Sequence, residues 1–230
     1  MGEIPLHDDV VDKFRDVLRW LYHDEGWFIA RNYEMYFTTD PSDQPISPDL
    51  AVFKGVIEPP DVADLPRRWA VGEGELPPAV VIEIASNKTV SRDLEVKPPK
   101  YARIGVREYL FWDPRPSVRP RKRPLRGWRC RNGIAEEMAL NEHGWLWSDE
   151  LESWVVPEGR YIRLYSRDGR LRLTQAQAHR AASEAERAAK EEALARADAE
   201  RTAKEAERTA KERLLALLRS HGIDPATDGE

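Results

Sequence analysis

The sequence predicts an α/β domain followed by a long C-terminal helix. Two patterns carry that expectation. The first is a strand–helix–strand succession. PPAVVIEIAS (Pro77 to Ser86) is near-continuously apolar and β-branched, the signature of a strand buried on both faces. A short helix around Lys100 to Ile104 follows, ending at Gly105 as a left-handed cap, and then the apolar strand Glu108 to Trp112. Such a succession implies a right-handed crossover and a parallel strand pair. The second pattern is a low-complexity run from Thr174 to Arg219, where AERTAKE occurs twice in succession (Ala199 to Glu205, Ala206 to Glu212).

The other elements follow in order. Asp8 to His23 is an amphipathic helix, with Val10, Val11, Phe14, Val17, Leu18 and Leu21 at three-and-four spacing and Asp8 or Asp9 to cap it. Trp27 to Phe37 is β-rich and partly alternating, and Asp49 to Phe53 is a short strand. Ile57 to Gly74 is a loop rich in Pro and Asp. Beyond Pro114, residues 115 to 131 hold eight basic residues and no acid, with prolines at 116, 120 and 124. Prolines keep such a segment extended and exposed without any ligand, so a solvated loop is expected, with a phosphate-contacting arm as the alternative. Trp128 to Arg131, Ala135 to Leu140, Trp145 to Trp147 and Tyr161 to Tyr165 read as further short strands. The tryptophans suit core and rim packing better than base stacking.

In the tail, Ala178, Ala182, Ala185, Ala189, Ala199, Ala203, Ala206, Ala210 and Leu217 share a face at near-3.5 spacing. Glu186/Lys190, Glu200/Lys204 and Glu207/Lys211 are i,i+4 pairs in the favourable order, worth roughly 0.2–0.5 kcal/mol each. Alanine favours helix but buries little area, so the helix is stable and its seam weak. It either pairs with another chain, a homo-oligomer or a partner helix, or projects into solvent. Gly222 and Pro225 stop it. The expected organisation is a folded body over residues 1–173, a helical coiled-coil-like tail over 174–219 and a disordered end over 220–230.

The chain has 230 residues, enough for one domain with a real core and an appendage. Its formal net charge of −5 gives no global basic field to announce nucleic acid. The single cysteine, Cys130, excludes an internal disulfide and a Cys-based zinc cluster and fits a reducing compartment. The five histidines have no zinc-ligand spacing. No apolar run approaches the roughly 20 residues of a membrane helix, and the acidic stretch MGEIPLHDD lacks the apolar h-region of a signal peptide. A cytoplasmic location is expected.

Three residues suggest chemistry. Glu83 sits among Val80, Val81, Ile82 and Ile84, a run too apolar to bury a lone carboxylate cheaply. Such an acid must pair, protonate or bind a cation. Asp49 opens an apolar strand, where most acids are only strand-end residues. Lys97 precedes Pro98 and Pro99, which are tolerated in a first helical turn, so the helix starts near Lys97 and its N-terminus favours phosphate there. Ser86 and Asn87 read as a turn and Asp93 as a cap. Two carboxylates can hold Mg²⁺, and a lysine can hold the attacking water or the phosphate charge.

In combination these segments resemble the PD-(D/E)XK nuclease-like superfamily, and within it the Uma-two family of restriction-endonuclease-like proteins. Pro48-Asp49 stands where the family has its PD. Glu83 stands for the glutamate of its EVxS strand. Asp93, Leu94, Lys97 and Tyr101 stand in its D-L-x-x-K-x-x-x-Y pattern. Gly105 to Tyr109 and Asp113-Pro114 match its GVxEYxxxDP strand. The resemblance covers roughly residues 8 to 175. It implies a restriction-endonuclease-like α/β core, a mixed sheet flanked by helices, with Asp49 and Glu83 as metal ligands and Mg²⁺ or Mn²⁺ as cofactor. One departure is Ala85, where the superfamily's E-x-K lysine belongs. The resemblance implies Lys97 as its replacement, with Lys88 as the runner-up. A second departure is Pro98-Pro99, which shortens the helix. The expected function is a metal-dependent DNA endonuclease with Asp49, Glu83 and Lys97 as catalytic residues. The rival is a catalytically silent nuclease-like module that binds nucleic acid or protein and assembles through its tail. A scaffold organised by the tail alone is the third reading.

Overall fold

The computed structural model describes residues 6–36, 44–56, 69–71, 75–86, 90–115 and 124–221. Asn87, Lys88, Gly222, Pro225, most of the Pro/Asp-rich loop and residues 116–123 of the basic segment lie outside the described residues. The chain divides into two compact units, Met1–Ala176 and Gln177–Glu230.

In the first unit, helix α1 (Leu6–Leu21) buries Val10, Val11, Phe14, Val17 and Leu18. Full burial of such a side chain is worth about 1.5–3 kcal/mol, so this face outweighs helix propensity in holding α1. A 3-10 turn (His23–Glu25) follows, closed by Gly26 in the left-handed conformation. The expected strand Trp27 to Phe37 is two strands, β1 (Phe28–Arg31) and β2 (Met35–Tyr36). Asn32 divides them at φ +49, a conformation that Asn tolerates better than most side chains. Strand β3 (Leu50–Phe53) pairs antiparallel with β1, and β4 (Trp69–Ala70) pairs parallel with β2.

Strand β5 (Val80–Ile84) is buried along its whole length. It leads through a π-helical turn (Arg92–Val96) into α2 (Lys97–Arg103), and then β6 (Glu108–Trp112). The expected parallel pair is β5 with β6. Strands β7 (Leu125–Arg131) and β8 (Ile134–Glu137) complete a six-stranded mixed sheet of order β1-β3-β5-β6-β7-β8. Its strands alternate between two cores. Ile29, Leu50, Val52, Val80, Ile82 and Ile84 face α1 residues. Phe28, Ala51, Phe53, Val81, Tyr109 and Phe111 pack with Leu94 and Tyr101 of the π turn and α2. The sheet is therefore mixed and flanked by helices.

Strands β9 (Leu146–Ser148), β10 (Ser153–Glu158) and β11 (Tyr161–Tyr165) form a second, antiparallel sheet of order β11-β10-β9. β10 escapes a reading by pattern because Pro157 interrupts it. β9 pairs only with Ser153–Val155, so Pro157 lies past the end of β9 and costs no ladder bond on that side. Glu108 joins the two sheets. Its buried carboxylate accepts the Ser148 hydroxyl and the Asp149 N–H (2.9 Å).

Gly127 marks the tightest packing in β7. A Cβ there would stand 2.5 Å from Leu146 Cδ1 and 3.1 Å from Leu110 Cδ2. Gly127→Ala is therefore expected to destabilise by about 1–3 kcal/mol, the usual range for overpacking. A urea midpoint unchanged by that substitution would contradict this packing.

The second unit carries most of helix α3 (Gln175–Ser220), which has no buried residue. Its surface is laced by i,i+4 pairs, including Lys204–Glu200 at 2.5 Å and Arg208–Glu212 at 2.9 Å. No helix among the described residues is long and apolar enough to cross a membrane.

Candidate active site

The β3–β5 register explains why two acids meet. Leu50 opposes Ile82 and Ala51 opposes Val81, so one further step sets Asp49 opposite Glu83. Residues opposed across an antiparallel pair have Cβ atoms about 4.5–5.5 Å apart on one face. Asp49 Oδ2 accepts the Ile84 N–H at 2.7 Å, which fixes the carboxylate at the end of β3. His7 Nε2, on the first turn of α1, lies 3.2 Å from the same oxygen. Arg31 holds that turn in place by pairing with Asp8 at 2.6 Å and Asp12 at 2.5 Å. The hydrogen bond to Asp49 raises the His7 pKa above the ordinary value, outweighing burial, which lowers it, with help from the Asp49 and Asp8 charges.

Glu83 is only 3% exposed. Alternation along β5 turns it to the side of Tyr101 and Tyr109. Tyr101 Oη donates to Glu83 Oε1 at 3.0 Å, and Lys97 Nζ lies 2.6 Å from the same oxygen. Burial pushes the Glu83 pKa up to about 7. Lys97 opposes that rise, while the Asp49 charge adds to it.

Lys97 comes from the neighbouring element, at the junction of the π turn and α2. Its setting differs from the expected helix N-terminus. The helical path already begins at Val90, and the Lys97 N–H bonds to Arg92 O. No free N-terminus faces a ligand there. Pro98 and Pro99 carry no N–H, so carbonyls one turn earlier lose their helical donors. Tyr109 Oη donates to one of them, Asp93 O, at 2.8 Å. A π turn is the local answer to this shortage of donors, and such turns recur at functional sites.

Asp93 is not a cap. It is 1% exposed, and its Oδ1 lies 2.7 Å from Lys97 Nζ. The distance makes a close ion pair. Lys97 thus sits between two buried carboxylates. Burial alone would lower its pKa, but Glu83 and Asp93 outweigh burial and hold it above the ordinary value. The i,i+4 spacing of Asp93 and Lys97 is a sequence signal for this pair; nothing in the sequence points to His7.

Among the described residues, no group of three His, Cys, Asp or Glu side chains is placed to hold a metal ion. The donors that do converge are carboxylate oxygens. Mg²⁺ is commonly held by one or two carboxylates plus waters and substrate phosphates, so Asp49 and Glu83 suit that ion by donor type.

The Glu83 shift has a consequence for stability. The folded state holds the Glu83 proton up to about pH 7, whereas the ordinary carboxyl loses it near 4.5. Its contribution to stability is therefore complete below 4.5 and is lost as pH rises through about 7. In metal-free protein, stability relative to Glu83→Gln is expected to fall over that window. A pH-independent difference between the two proteins would show that Glu83 is not buried in this way.

The mixed α/β sheet thus carries two acids and a lysine on adjoining elements. The chain belongs to the Uma2 family, described as "Putative restriction endonuclease", which matches residues 1–190. It is also similar to a crystal structure of a putative nuclease belonging to DUF820 from Anabaena variabilis. Identity is 14%, with a TM-score of 0.43 over 69% of this chain and 74% of that one. No curated protein matches the chain.

Proposed function

We propose that this chain is a Mg²⁺- or Mn²⁺-dependent endonuclease that hydrolyses phosphodiester bonds in DNA. Family membership supports the reaction class. The observation that carries the reading is the buried Glu83–Lys97 contact beside Asp49, which brings two acids and a lysine together from β3, β5 and α2.

Asp49 and Glu83 would hold the metal. When bound, it would lower the pKa of a water and polarise a phosphoryl oxygen. Lys97 supplies a fixed positive charge that orients the attacking water or neutralises charge developing on the phosphate. Tyr101 keeps Glu83 oriented through its hydrogen bond. Metal uptake needs Glu83 ionised, so affinity should climb as pH rises through about 7. Nicking of supercoiled plasmid in Mg²⁺ or Mn²⁺, abolished by EDTA, tests the proposal. A protein that never cuts with either ion is the silent binding module instead.

We assign the chemistry to residues 1–173 and assembly with a second copy to the helix over 174–219. The helix has no buried residue, which supports this division, and Leu194, Leu214 and Leu217 are each 58–59% exposed. A chain ending near Thr174 is expected to keep its melting temperature and to lose mass by light scattering beyond the residues removed. Collapse of the body on truncation would contradict the division.

A further inference from the structure

We infer that Asp93 is the positioning residue for Lys97, holding the ammonium at the site independently of Glu83. Its catalytic consequence rests on the proposed endonuclease reading; the positioning itself does not. Lys97 has two carboxylate partners, at 2.6 Å and 2.7 Å. They differ in what else they do. Glu83 stands opposite Asp49 and also accepts Tyr101 Oη, so a cation bound there competes with Lys97 for its charge. Asp93 has no such second engagement. Its Oδ2 is buried and has no hydrogen-bond partner among the described residues.

Asp93 also travels with Lys97. Both belong to one helical path, four residues apart, and Tyr109 Oη pins the Asp93 backbone carbonyl. Tyr109 and Tyr101 are themselves in ring contact at 5.2 Å, so the anchor and the Glu83 hydrogen bond share one rigid wall. A buried carboxylate lacking hydrogen-bond donors is costly unless an opposite charge pairs with it. Here the charge is Lys97. When a cation draws on Glu83, Asp93 keeps the ammonium in place rather than letting it swing out to water.

Two measurements test this. The first needs neither metal nor activity: a urea-unfolding double-mutant cycle of Glu83→Gln with Asp93→Asn. Each single change leaves Lys97 one carboxylate; the pair strands it. The double variant should lose about tenfold more in the unfolding equilibrium constant than the two single changes multiplied together. Multiplicative losses would overturn the inference. So would an Asp93→Asn protein that fails to fold while Glu83 still faces Lys97.

The second is single-turnover cleavage of a labelled duplex by Asp93→Asn across a Mg²⁺ titration. The rate should fall about 10–100-fold, as for other groups that orient a working side chain, with the half-saturating Mg²⁺ concentration unchanged. A loss of Mg²⁺ affinity at an unchanged maximal rate would make Asp93 a cation ligand and overturn its positioning role. If the unmodified protein cuts nothing, the endonuclease reading fails, and the unfolding cycle still decides the role of Asp93.

Discussion

Lys97→Ala is expected to slow single-turnover cleavage by about 10²–10³-fold, the usual cost of losing one preorganised electrostatic contact. It should also destabilise the metal-free protein by about 3–5 kcal/mol at pH 8, the range for breaking a buried ion pair from one side. The structure adds this second effect, because Lys97 neutralises two buried acids at once. Below pH 7 the destabilisation should shrink, since Glu83 can then take up a proton instead. Lys97→Arg should rescue poorly. The guanidinium is planar and larger, and cannot place a point charge between two carboxylates in the same space. Lys88→Ala should leave cleavage nearly untouched. A dead Lys88 variant beside an active Lys97 variant would reverse the assignment.

Divalent metal is expected to raise the melting temperature of the unmodified protein, and Glu83→Gln to abolish that rise. A ligand at one hundred times its dissociation constant adds about 2.7 kcal/mol of stability, and the variant should lose all of it. Metal-free Glu83→Gln should be as stable as the unmodified protein or more so above pH 7. The substitution removes a charge that burial disfavours, while Lys97 keeps Asp93. Differential scanning fluorimetry with and without Mg²⁺ or Mn²⁺ checks both statements. A metal response that survives in Glu83→Gln would remove Glu83 from the site.

Glu83 stands out in the sequence because a charge inside a continuous apolar run has few ways to survive, and the parallel β5–β6 pair follows from the same run. The long helix is equally plain, because its signal is local and repeated. Asp93 is not plain, because a short acid ahead of a helix usually caps it. The i,i+4 spacing hints at the pair with Lys97, but only the structure shows the side chain buried against it across the π turn. His7 is not legible at all. Its neighbour Asp49 is distant in sequence, and the contact depends on how α1 docks on the sheet through Arg31. The two-strand break at Asn32 and the strand around Pro157 were hidden for a simpler reason. Asn32 takes a left-handed conformation inside an otherwise β-rich run, and Pro157 masks a strand whose existence depends on pairing with β11.

The most direct test of the central claim, that Asp49, Glu83 and Lys97 form a metal-dependent phosphodiester-cleaving centre, is the single-turnover cleavage rate of one labelled duplex by the unmodified protein and by Lys97→Ala. Both are measured in Mg²⁺, in Mn²⁺ and in EDTA. The predicted result is cleavage only with a divalent ion, slowed about 10²–10³-fold by the substitution. Equal rates for the two proteins, or cleavage that persists in EDTA, would contradict it.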